Sequence, residues 1–260
     1  MNDQTPPIRP SQRIDILDGW RALSILLVLA GHLVPLGPKI SDNNAAVAAA
    51  GMALFFTLSG FLITRFLLDR PEPVSFLTRR LFRIVPLAWA AMLALIIANH
   101  ADARTAAANF LFFANLPPIS LLHGGEHLWS LCVEVQFYVA IALLVAIVGK
   151  RGLYVIPALC VTVTAWRIAN GATSNIVTWF RVDEIFAGAT LALVYTSGWL
   201  KGNAPKWLSP ALLAVLFFAS NRFFGPLNYL RPYIAASAVG ASLIAAPVIM
   251  QWAFTNRYAR

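Results

Sequence analysis

Residues 15–32 read Asp15-Ile-Leu-Asp18-Gly-Trp-Arg21-Ala-Leu-Ser-Ile-Leu-Leu-Val-Leu-Ala-Gly31-His32. The ten residues between Arg21 and His32 are apolar or small, and the apolar character continues to residue 36. A helix needs about 20 such residues to cross the roughly 30 Å hydrocarbon core of a bilayer. The stretch 16–36 is therefore predicted to be a first membrane-spanning helix.

The composition of the whole chain indicates a polytopic membrane protein. Of its 260 residues, 59% are hydrophobic and 12% are charged, and the mean hydropathy is +0.69. Soluble domains carry about 25% charged residues, so a surface this poor in charge would not stay dispersed in water. Both cysteines lie in apolar runs, which excludes a secreted disulfide scaffold. The net charge of +9 is interpreted as charge between spans that sets the topology, with no nucleic-acid partner.

The chain is predicted to fold as an all-α, polytopic transmembrane helical bundle of about 8–9 spans. We expect a cytoplasmic N-terminal segment at 1–13, followed by a single membrane-embedded domain over 14–260. The predicted spans are 16–36, 46–67, 82–98, 128–148, 153–169, 176–196, 208–224 and 232–253.

The apolar stretch 105–122 is short and is broken by Pro117 and Pro118, which should stop a helix. If it enters the membrane and returns on the same side, more of the basic residues that flank the spans lie in the cytoplasm. That asymmetry is the one that bacterial membrane proteins show. We therefore predict a short re-entrant segment, with both termini cytoplasmic and the protein in the bacterial cytoplasmic (inner) membrane.

Ionisable residues in the first span mark a candidate site, because such groups are costly in lipid and usually face a cavity or a partner. Arg21 and His32 are eleven residues apart, which places them about 20° apart around a helix and about 16 Å apart along it. Asp18 lies on the same face. One interpretation is an interfacial Asp18–Arg21 ion pair with His32 as a packing hydrogen bonder. The other is a proton-transfer role for His32, because histidine titrates near neutral pH.

A second polar stripe is predicted on the span 128–148. His127, Ser130, Glu134 and Tyr138 follow the spacing i, i+3, i+7, i+11 and share one helix face. Either they form a buried hydrogen-bond network that fixes helix packing, or they form a site wall. In the second case Glu134 orients a base or holds a substrate hydroxyl.

Two further groups of charged residues lie near the starts of predicted spans. Arg181 and Glu184 are three residues apart and are predicted to pair, while Gly188 is predicted to allow close helix contact. A run of arginines is predicted to stand at a helix start, where guanidinium groups and backbone N–H groups bind phosphate, as in coenzyme A or a nucleotide. That run comprises Arg79, Arg80 and Arg83. Arg65 and Arg70 are predicted only to meet anionic lipid headgroups.

Five segments, in order over residues 13–195, resemble the acyltransferase-3 family of integral-membrane acyltransferases. They are Leu17-Asp18-Gly19-Trp20-Arg21 with His32, Leu54 to Ile63 with Ser59-Gly60 inside it, Phe76 to Pro86 with its three arginines, Leu128-Trp129-Ser130 to Glu134 and Tyr138, and Arg181-Val-Asp183-Glu184 with Gly188. Such proteins move an acyl group, usually acetyl from cytoplasmic acetyl-CoA, to hydroxyls of extracytoplasmic or lipid-linked glycans.

The resemblance implies roles for individual residues. Arg21 and His32 match the family's Arg–His motif. The basic motif proposed to hold the phosphates of CoA corresponds to Arg79, Arg80 and Arg83. The later helix motif corresponds to Glu134 with Trp129, Ser130 and Tyr138, and the Arg-x-Asp segment corresponds to Arg181 and Asp183. The family usually ends with a further helix, which this chain is expected to lack.

Acyl transfer from a thioester to an alcohol needs a base and a charge partner for the donor. The hypothesis is that His32 deprotonates the acceptor hydroxyl or briefly carries the acyl group, while Arg21, held by Asp18, binds the donor. Glu134 orients His32 if their helices pack together. The alternatives are a transporter or flippase, which also has intramembrane charges and broken segments, and a non-catalytic partner subunit. The histidines lack ligand-like spacing, so no metal site is predicted.

Overall fold

The computed structural model describes residues 14–200 and 204–244, and within these ranges the chain is all-α, as predicted. The helices are α1 Asp15–Leu33, α2 Asn43–Asp69, α3 Pro73–Asn99, α4 Ala103–Phe110, α5 Trp129–Val148, α6 Ile156–Ala169, α7 Asp183–Thr196, α8 Leu208–Ser220 and α9 Arg231–Ile244. The predicted cytoplasmic segment 1–13 lies outside the described residues. So do the second part of the predicted span 232–253 and the chain end, where the family's closing helix is expected to be missing.

Fewer helices than predicted are long enough to cross a membrane. Among the described residues, five helical segments have the necessary length and apolar character: Asp15–Leu33, Asn43–Asp69, Pro73–Asn99, Glu126–Val148 and Lys150–Ala169. The described parts of the last three predicted spans are shorter. The span predicted at 176–196 begins only at Asp183, because residues 178–180 form a 3-10 turn. The helix predicted at 208–224 ends at Ser220, where Asn221 becomes extended.

Helices α1 and α2 form an antiparallel pair with closely approaching backbones. A Cβ atom added at Gly31 would lie 2.7 Å from the Cβ of Ala48. One added at Gly51 would lie 2.8 Å from the Cβ of Leu27 and from the backbone nitrogen of Val28. Small residues are enriched where membrane helices approach in this way, because lipid provides little hydrophobic driving force between helices.

The tightest contact in the bundle joins α2 to α7. A Cβ atom at Gly188 would collide with the carbonyl oxygen of Thr57, and one at Gly60 would collide with the carbonyl oxygen of Ile185. The two helices run in the same direction, because Thr57 meets Gly188 while Phe61, one turn later, packs its ring against Tyr195 at 5.7 Å. The predicted role of Gly188 in close helix contact is confirmed.

The segment between α3 and α5 leaves and returns at the same end of α3. Asn99, the last residue of α3, donates a hydrogen bond from Nδ2 to the carbonyl of His123 at 3.0 Å. Between these points the chain runs back along the bundle, where the Phe110 carbonyl accepts a hydrogen bond from Trp89 Nε1 at 2.9 Å. Gln136 Nε2 reaches the carbonyl of Phe112 at 2.6 Å. Helix α4 covers only eight residues of this path.

Two ends of the bundle can now be distinguished. At one end lie the start of α1, the end of α2 and the start of α3, and the end of α9 joins them through a 2.7 Å hydrogen bond from Trp20 Nε1 to Ser242 Oγ. We call this the arginine end, since Arg65 and the cluster at 79–83 lie there. At the other end lie the end of α1 and the start of α2, and Asn221 donates to the carbonyl of Ser41 at 2.9 Å. We call it the His32 end.

Replacing Gly188 by alanine is expected to lower stability, because the added methyl group must push α2 and α7 apart. Forced overpacking usually costs about 1–3 kcal/mol. Thermal unfolding of the purified protein in detergent would show a clear fall in midpoint for Gly188→Ala. Gly225→Ala is the matched control, because a Cβ at Gly225 has no neighbour within 4 Å. Equal midpoints for the two variants would contradict the packing described for α2 and α7.

Candidate active site

A cavity of about 420 Å³ lies at the arginine end, between α1, α2 and α3. We call it the arginine cavity. Its lining consists of Arg21, Leu62, Arg65, Phe66, Asp69, Phe76, Arg79, Arg80 and Arg83. Five guanidinium groups and one carboxylate therefore surround one opening. Helix α1 contributes Arg21 to the same cavity as the predicted cluster on α3.

For Arg65 the sequence predicts contact with lipid headgroups only. The structure places it in the lining of the arginine cavity, with its guanidinium 5.8 Å from the ring centre of Tyr195 on α7. Arg70, five residues later, is exposed in the turn after α2 and is not among the lining residues. The spacing offered a signal, because Leu62, Arg65, Phe66 and Asp69 follow helical periodicity on one face of α2.

The expectation that the arginine cluster stands at a helix start is wrong. Helix α3 begins at Pro73, a residue favoured at the first helical position, so Arg79 lies almost two turns inside the helix. Side chains supply the positive charge here, and the first-turn N–H groups lie elsewhere. Arg79 Nε donates to the carbonyl of Ser75 at 3.3 Å, and its guanidinium lies 5.9 Å from the ring centre of Phe66. Arg80 lies 6.0 Å from the ring centre of Phe76.

A buried carboxylate lies just inside the arginine cavity. Ser59 of α2 donates a hydrogen bond from its hydroxyl to Glu134 Oε1 of α5 at 2.6 Å. Glu134 also interacts with the Tyr138 side chain, and Tyr138 interacts electrostatically with Arg21 and Arg80. Tyr138 packs edge-on against Phe76 of the cavity wall, with ring centres 5.9 Å apart. Glu134 and Tyr138 therefore belong to the arginine end of the site.

The predicted polar stripe on α5 is only partly present. His127 lies on a 3-10 turn before the helix and is exposed, since α5 begins at Trp129. Ser130 donates a hydrogen bond from its hydroxyl to the carbonyl of His127 at 3.0 Å, so this hydroxyl is engaged locally in the first turn of the helix. Only Glu134 and Tyr138 are buried members of the stripe.

His32 lies at the end of α1, beside a recess of about 390 Å³. Polar lining residues of this recess include Lys39, Asp42, Asn43 and Asn44. His32 is exposed, and its Nδ1 lies 2.7 Å from the carbonyl oxygen of Val28. Because a carbonyl only accepts, the hydrogen bond places the proton of the neutral ring on Nδ1 and leaves the Nε2 lone pair available. With Nδ1 engaged in this way, Nε2 is the ring atom that can accept a proton.

His32 and Glu134 occupy different levels of the bundle. Gly51 packs against Val28, Ser59 lies eight residues, about 12 Å, beyond Gly51, and His32 lies four residues, about 6 Å, beyond Val28 in the opposite direction. The His32 level is thus about 18 Å from the Ser59–Glu134 hydrogen bond along the helix axes. The hypothesis that Glu134 orients His32 is therefore wrong. Glu134 accepts a hydrogen bond from Ser59 instead.

A third polar group is an ionic cluster buried between α6, α7 and α9. Arg181 Nε lies 3.4 Å from Glu184 Oε2, so the predicted ion pair is present. Arg231 Nε lies 2.6 Å from Glu184 Oε1, and Arg167 pairs with Asp183. All five side chains are at most 4% exposed. The partners Arg167 and Arg231 were not predicted, although an arginine inside the apolar span 153–169 was a signal that a carboxylate must lie nearby.

The ionic cluster is connected to the candidate site through Trp129. The Arg181 guanidinium lies 5.4 Å from the ring centre of Trp129, which packs against Phe56 of α2 with ring centres 5.9 Å apart. Asp183 accepts a further hydrogen bond from Thr164 at 3.3 Å. These contacts assign Arg181 and Asp183 to the support of α5 and α7. The residues lining the arginine cavity do not include them.

Glu184→Gln is expected to destabilise the protein, because it leaves Arg181 and Arg231 buried without their shared countercharge. Breaking a buried pair typically costs about 3–5 kcal/mol. Thermal unfolding in detergent measures the effect. Glu126→Gln is the control, since it removes a carboxylate from an exposed 3.3 Å contact with His123, and exposed pairs contribute about 0–1 kcal/mol. A midpoint for Glu184→Gln as high as that of the control would contradict the bridging role of Glu184.

Among the described residues, no group of three or more histidine, cysteine, aspartate or glutamate side chains is arranged to hold a metal ion. The described groups that can bind a polar ligand include the guanidinium groups of the arginine cavity and the polar side chains of the recess beside His32. Guanidinium forks match the geometry of phosphate and carboxylate oxygens. An anionic ligand with several phosphates fits the arginine cavity by charge.

Comparisons with known proteins agree with the motif resemblance. A family model described as an acyltransferase domain matches residues 14–259. The chain is 29% identical over 146 residues to peptidoglycan O-acetyltransferase OatA of Listeria monocytogenes serovar 1/2a, and this match covers 47% of the chain and 22% of OatA. It is 24% identical over 252 residues to nodulation protein 10 of Rhizobium leguminosarum bv. viciae, covering 75% of the chain and 68% of that protein. No solved structure matches the chain.

The chain therefore spans only about a fifth of the length of OatA, and about two thirds of nodulation protein 10. The family match, in contrast, extends over almost the whole chain and includes every segment on which the resemblance was based. The helical bundle with spans of membrane length is consistent with that match. The chain belongs to the acyltransferase-3 family.

Proposed function

We propose that the protein transfers an acetyl or other short acyl group from cytoplasmic acyl-CoA to a hydroxyl of a cell-surface or lipid-linked glycan. The observation that carries the proposal is the arginine cavity, where Arg21 from α1 joins Arg65, Arg79, Arg80 and Arg83. An O-acyltransferase of this family needs a site for its donor, and the phosphates of CoA are the groups that such a cavity attracts.

The charge balance of the arginine cavity favours a polyanionic ligand. Among the described residues that line it, Asp69 is the only acidic one, against five arginines. Phe66 and Phe76 lie beside the guanidinium groups of Arg79 and Arg80, which keeps those groups oriented. In the proposed complex, the guanidinium groups hold the phosphates of CoA, and its pantetheine arm extends inward past Leu62 and Phe76. Arg21 neutralises the thiolate that leaves.

The distribution of basic residues supports a cytoplasmic location for the arginine end. Besides the five cavity arginines, Arg70, Lys150 and Arg151 lie at this end, since α5 runs in the same direction as α2. Cytoplasmic segments of membrane proteins carry this excess of Lys and Arg. We propose that the N-terminus is cytoplasmic, that 105–122 is re-entrant, and that α7, α8 and α9 complete eight crossings in a bacterial inner membrane.

The recess beside His32 is the proposed acceptor site. It lies at the end opposite the arginine cavity, it is polar, and its histidine presents an available Nε2. In the proposed mechanism His32 takes the proton of the acceptor hydroxyl, or carries the acyl group briefly. The name of one relative, peptidoglycan O-acetyltransferase, suggests a cell-wall or surface glycan as the acceptor.

His32→Ala is expected to abolish transfer while leaving the binding of CoA unchanged, because His32 is remote from the arginine cavity. Loss of a general base typically reduces the rate about 100- to 10,000-fold. The assay uses purified protein in nanodiscs with radiolabelled acetyl-CoA and a glycan acceptor, and binding of CoA is measured in parallel. Ile40→Ala controls for a general disturbance of the loop, because Ile40 is an exposed residue of the same loop and does not line the recess.

Normal turnover by His32→Ala would remove His32 from the mechanism. Failure of the wild-type protein to bind or turn over acetyl-CoA would favour a transporter or a non-catalytic partner subunit.

Arg65→Gln and the double variant Arg79→Gln/Arg80→Gln are expected to raise the KM for acetyl-CoA. A hydrogen bond to a charged group contributes about 1.5–3 kcal/mol, which corresponds to a rise of about 10- to 100-fold. Steady-state kinetics over a range of donor concentrations measure the effect, which should shrink as salt is added.

Arg70→Gln is the matched control for Arg65→Gln, since Arg70 is an exposed arginine outside the cavity lining at the same end of α2. An equal effect of the Arg65 and Arg70 substitutions would show that only the overall positive charge of this end matters. An unchanged KM in the double variant would place the donor elsewhere.

A further inference from the structure

We infer that Ser59 is the first acceptor of the acyl group, so that the reaction passes through an acyl-serine on α2 with Glu134 as the proton carrier. The inference rests on the proposed function, since acyl-CoA as the donor belongs to that proposal. Ser59 lies in the segment Leu54 to Ile63, one of the five segments that resemble the family. Its surroundings supply the argument.

The Ser59 hydroxyl makes the kind of hydrogen bond that activates a serine nucleophile. It donates to Glu134 Oε1 at 2.6 Å, in the short range for O–H···O⁻ bonds. A serine is a weak nucleophile until a neighbouring base takes its proton, and a carboxylate at this distance can do so. Ser59 is partly exposed, whereas Leu58 and Gly60 on either side of it are buried. The hydroxyl therefore borders accessible space in the middle of α2.

That accessible hydroxyl lies in line with the arginine cavity. Ser59, Leu62 and Phe66 follow the spacing i, i+3, i+7 and share one face of α2, and the last two line the cavity. Ser59 lies three residues, about 4.5 Å, deeper than Leu62 along the helix axis. On the opposite side, Phe76 of the cavity wall contacts Tyr138, which interacts with Glu134. An arm that enters past Leu62 and Phe76 meets the Ser59–Glu134 pair first.

The distance between the arginine cavity and His32 explains why the Ser59–Glu134 pair would carry out a separate step. Reacting groups must come within about 3–3.5 Å of each other in a single transfer step. His32 lies about 18 Å from the level of Ser59 along the helices, so Glu134 and His32 cannot serve one tetrahedral centre. A covalent carrier on the donor side allows the thioester to be opened at Glu134 without requiring His32 in the same step.

The first step balances with the groups named. Ser59 Oγ attacks the thioester carbonyl carbon, and its proton passes to Glu134. The C–O bond forms and the C–S bond breaks, and Glu134 passes the proton to the departing thiolate, so CoA leaves as the free thiol. The products are acyl-Ser59 and an ionised Glu134. In the second step an acceptor hydroxyl attacks the acyl carbonyl carbon and gives its proton to Glu134, the bond between that carbon and Ser59 Oγ breaks, and Glu134 returns the proton to Ser59 Oγ.

The test incubates the intact protein in nanodiscs with radiolabelled acetyl-CoA and no acceptor. We expect one acetyl group per active protein molecule, released CoA thiol in equal amount, and label on the α2 peptide that contains Ser59. Ser59→Ala should lose the label yet bind CoA with unchanged affinity. Ser59→Cys should keep the label as a thioester, which neutral hydroxylamine removes, whereas the serine ester survives. This change of lability identifies the position even if Ser59→Ala folds poorly.

Thr64→Val is the matched control, because Thr64 is a buried hydroxyl on the same helix without a hydrogen-bond partner among the described residues. It should label like the wild type. Label on His32, or wild-type turnover by Ser59→Ala, would overturn the inference while leaving an acyl-CoA-dependent transferase intact. A wild-type protein that neither binds CoA nor takes up label would overturn the proposed function, and the inference with it.

Discussion

The backbone contact between α2 and α7, through Gly60 and Gly188, is the constraint on which the rest of the molecule depends. No side chain larger than hydrogen fits at either position, because each faces a carbonyl oxygen of the other helix. The contact holds α7 against the middle of α2, and it fixes the rotation of α2 about its axis. Ser59, next to Gly60, consequently faces α5 and meets Glu134.

The same arrangement separates two chemical environments at opposite ends of α1 and α2. The arginine end collects guanidinium groups from three helices, and the His32 end presents an imidazole and amides beside a short connection. A donor that carries phosphates and an acceptor that carries hydroxyl groups have different requirements, and each end suits one of them. In the proposed transfer across the membrane the two substrates approach from different sides, which this division of the site allows.

The sequence predicted individual motifs better than it predicted their partners. Periodicity placed Arg21 and His32 on one helix, and charge identified the cluster on α3, because both signals are local. The Ser59–Glu134 bond and the Arg167–Asp183 pair depend on which helices become neighbours, and a single sequence does not contain that information. Helix ends were also predicted poorly where 3-10 turns or prolines shift the boundary, as at α3 and α7.

The arginine end, remote from His32, is the proposed binding site of the donor. A photoreactive CoA analogue with its reactive group on the adenine would test it most directly, with the labelled peptides located by mass spectrometry. The account predicts label in 62–83, between the end of α2 and the first turns of α3, and protection by unlabelled CoA. Protectable label confined to 32–45, beside His32, would contradict it.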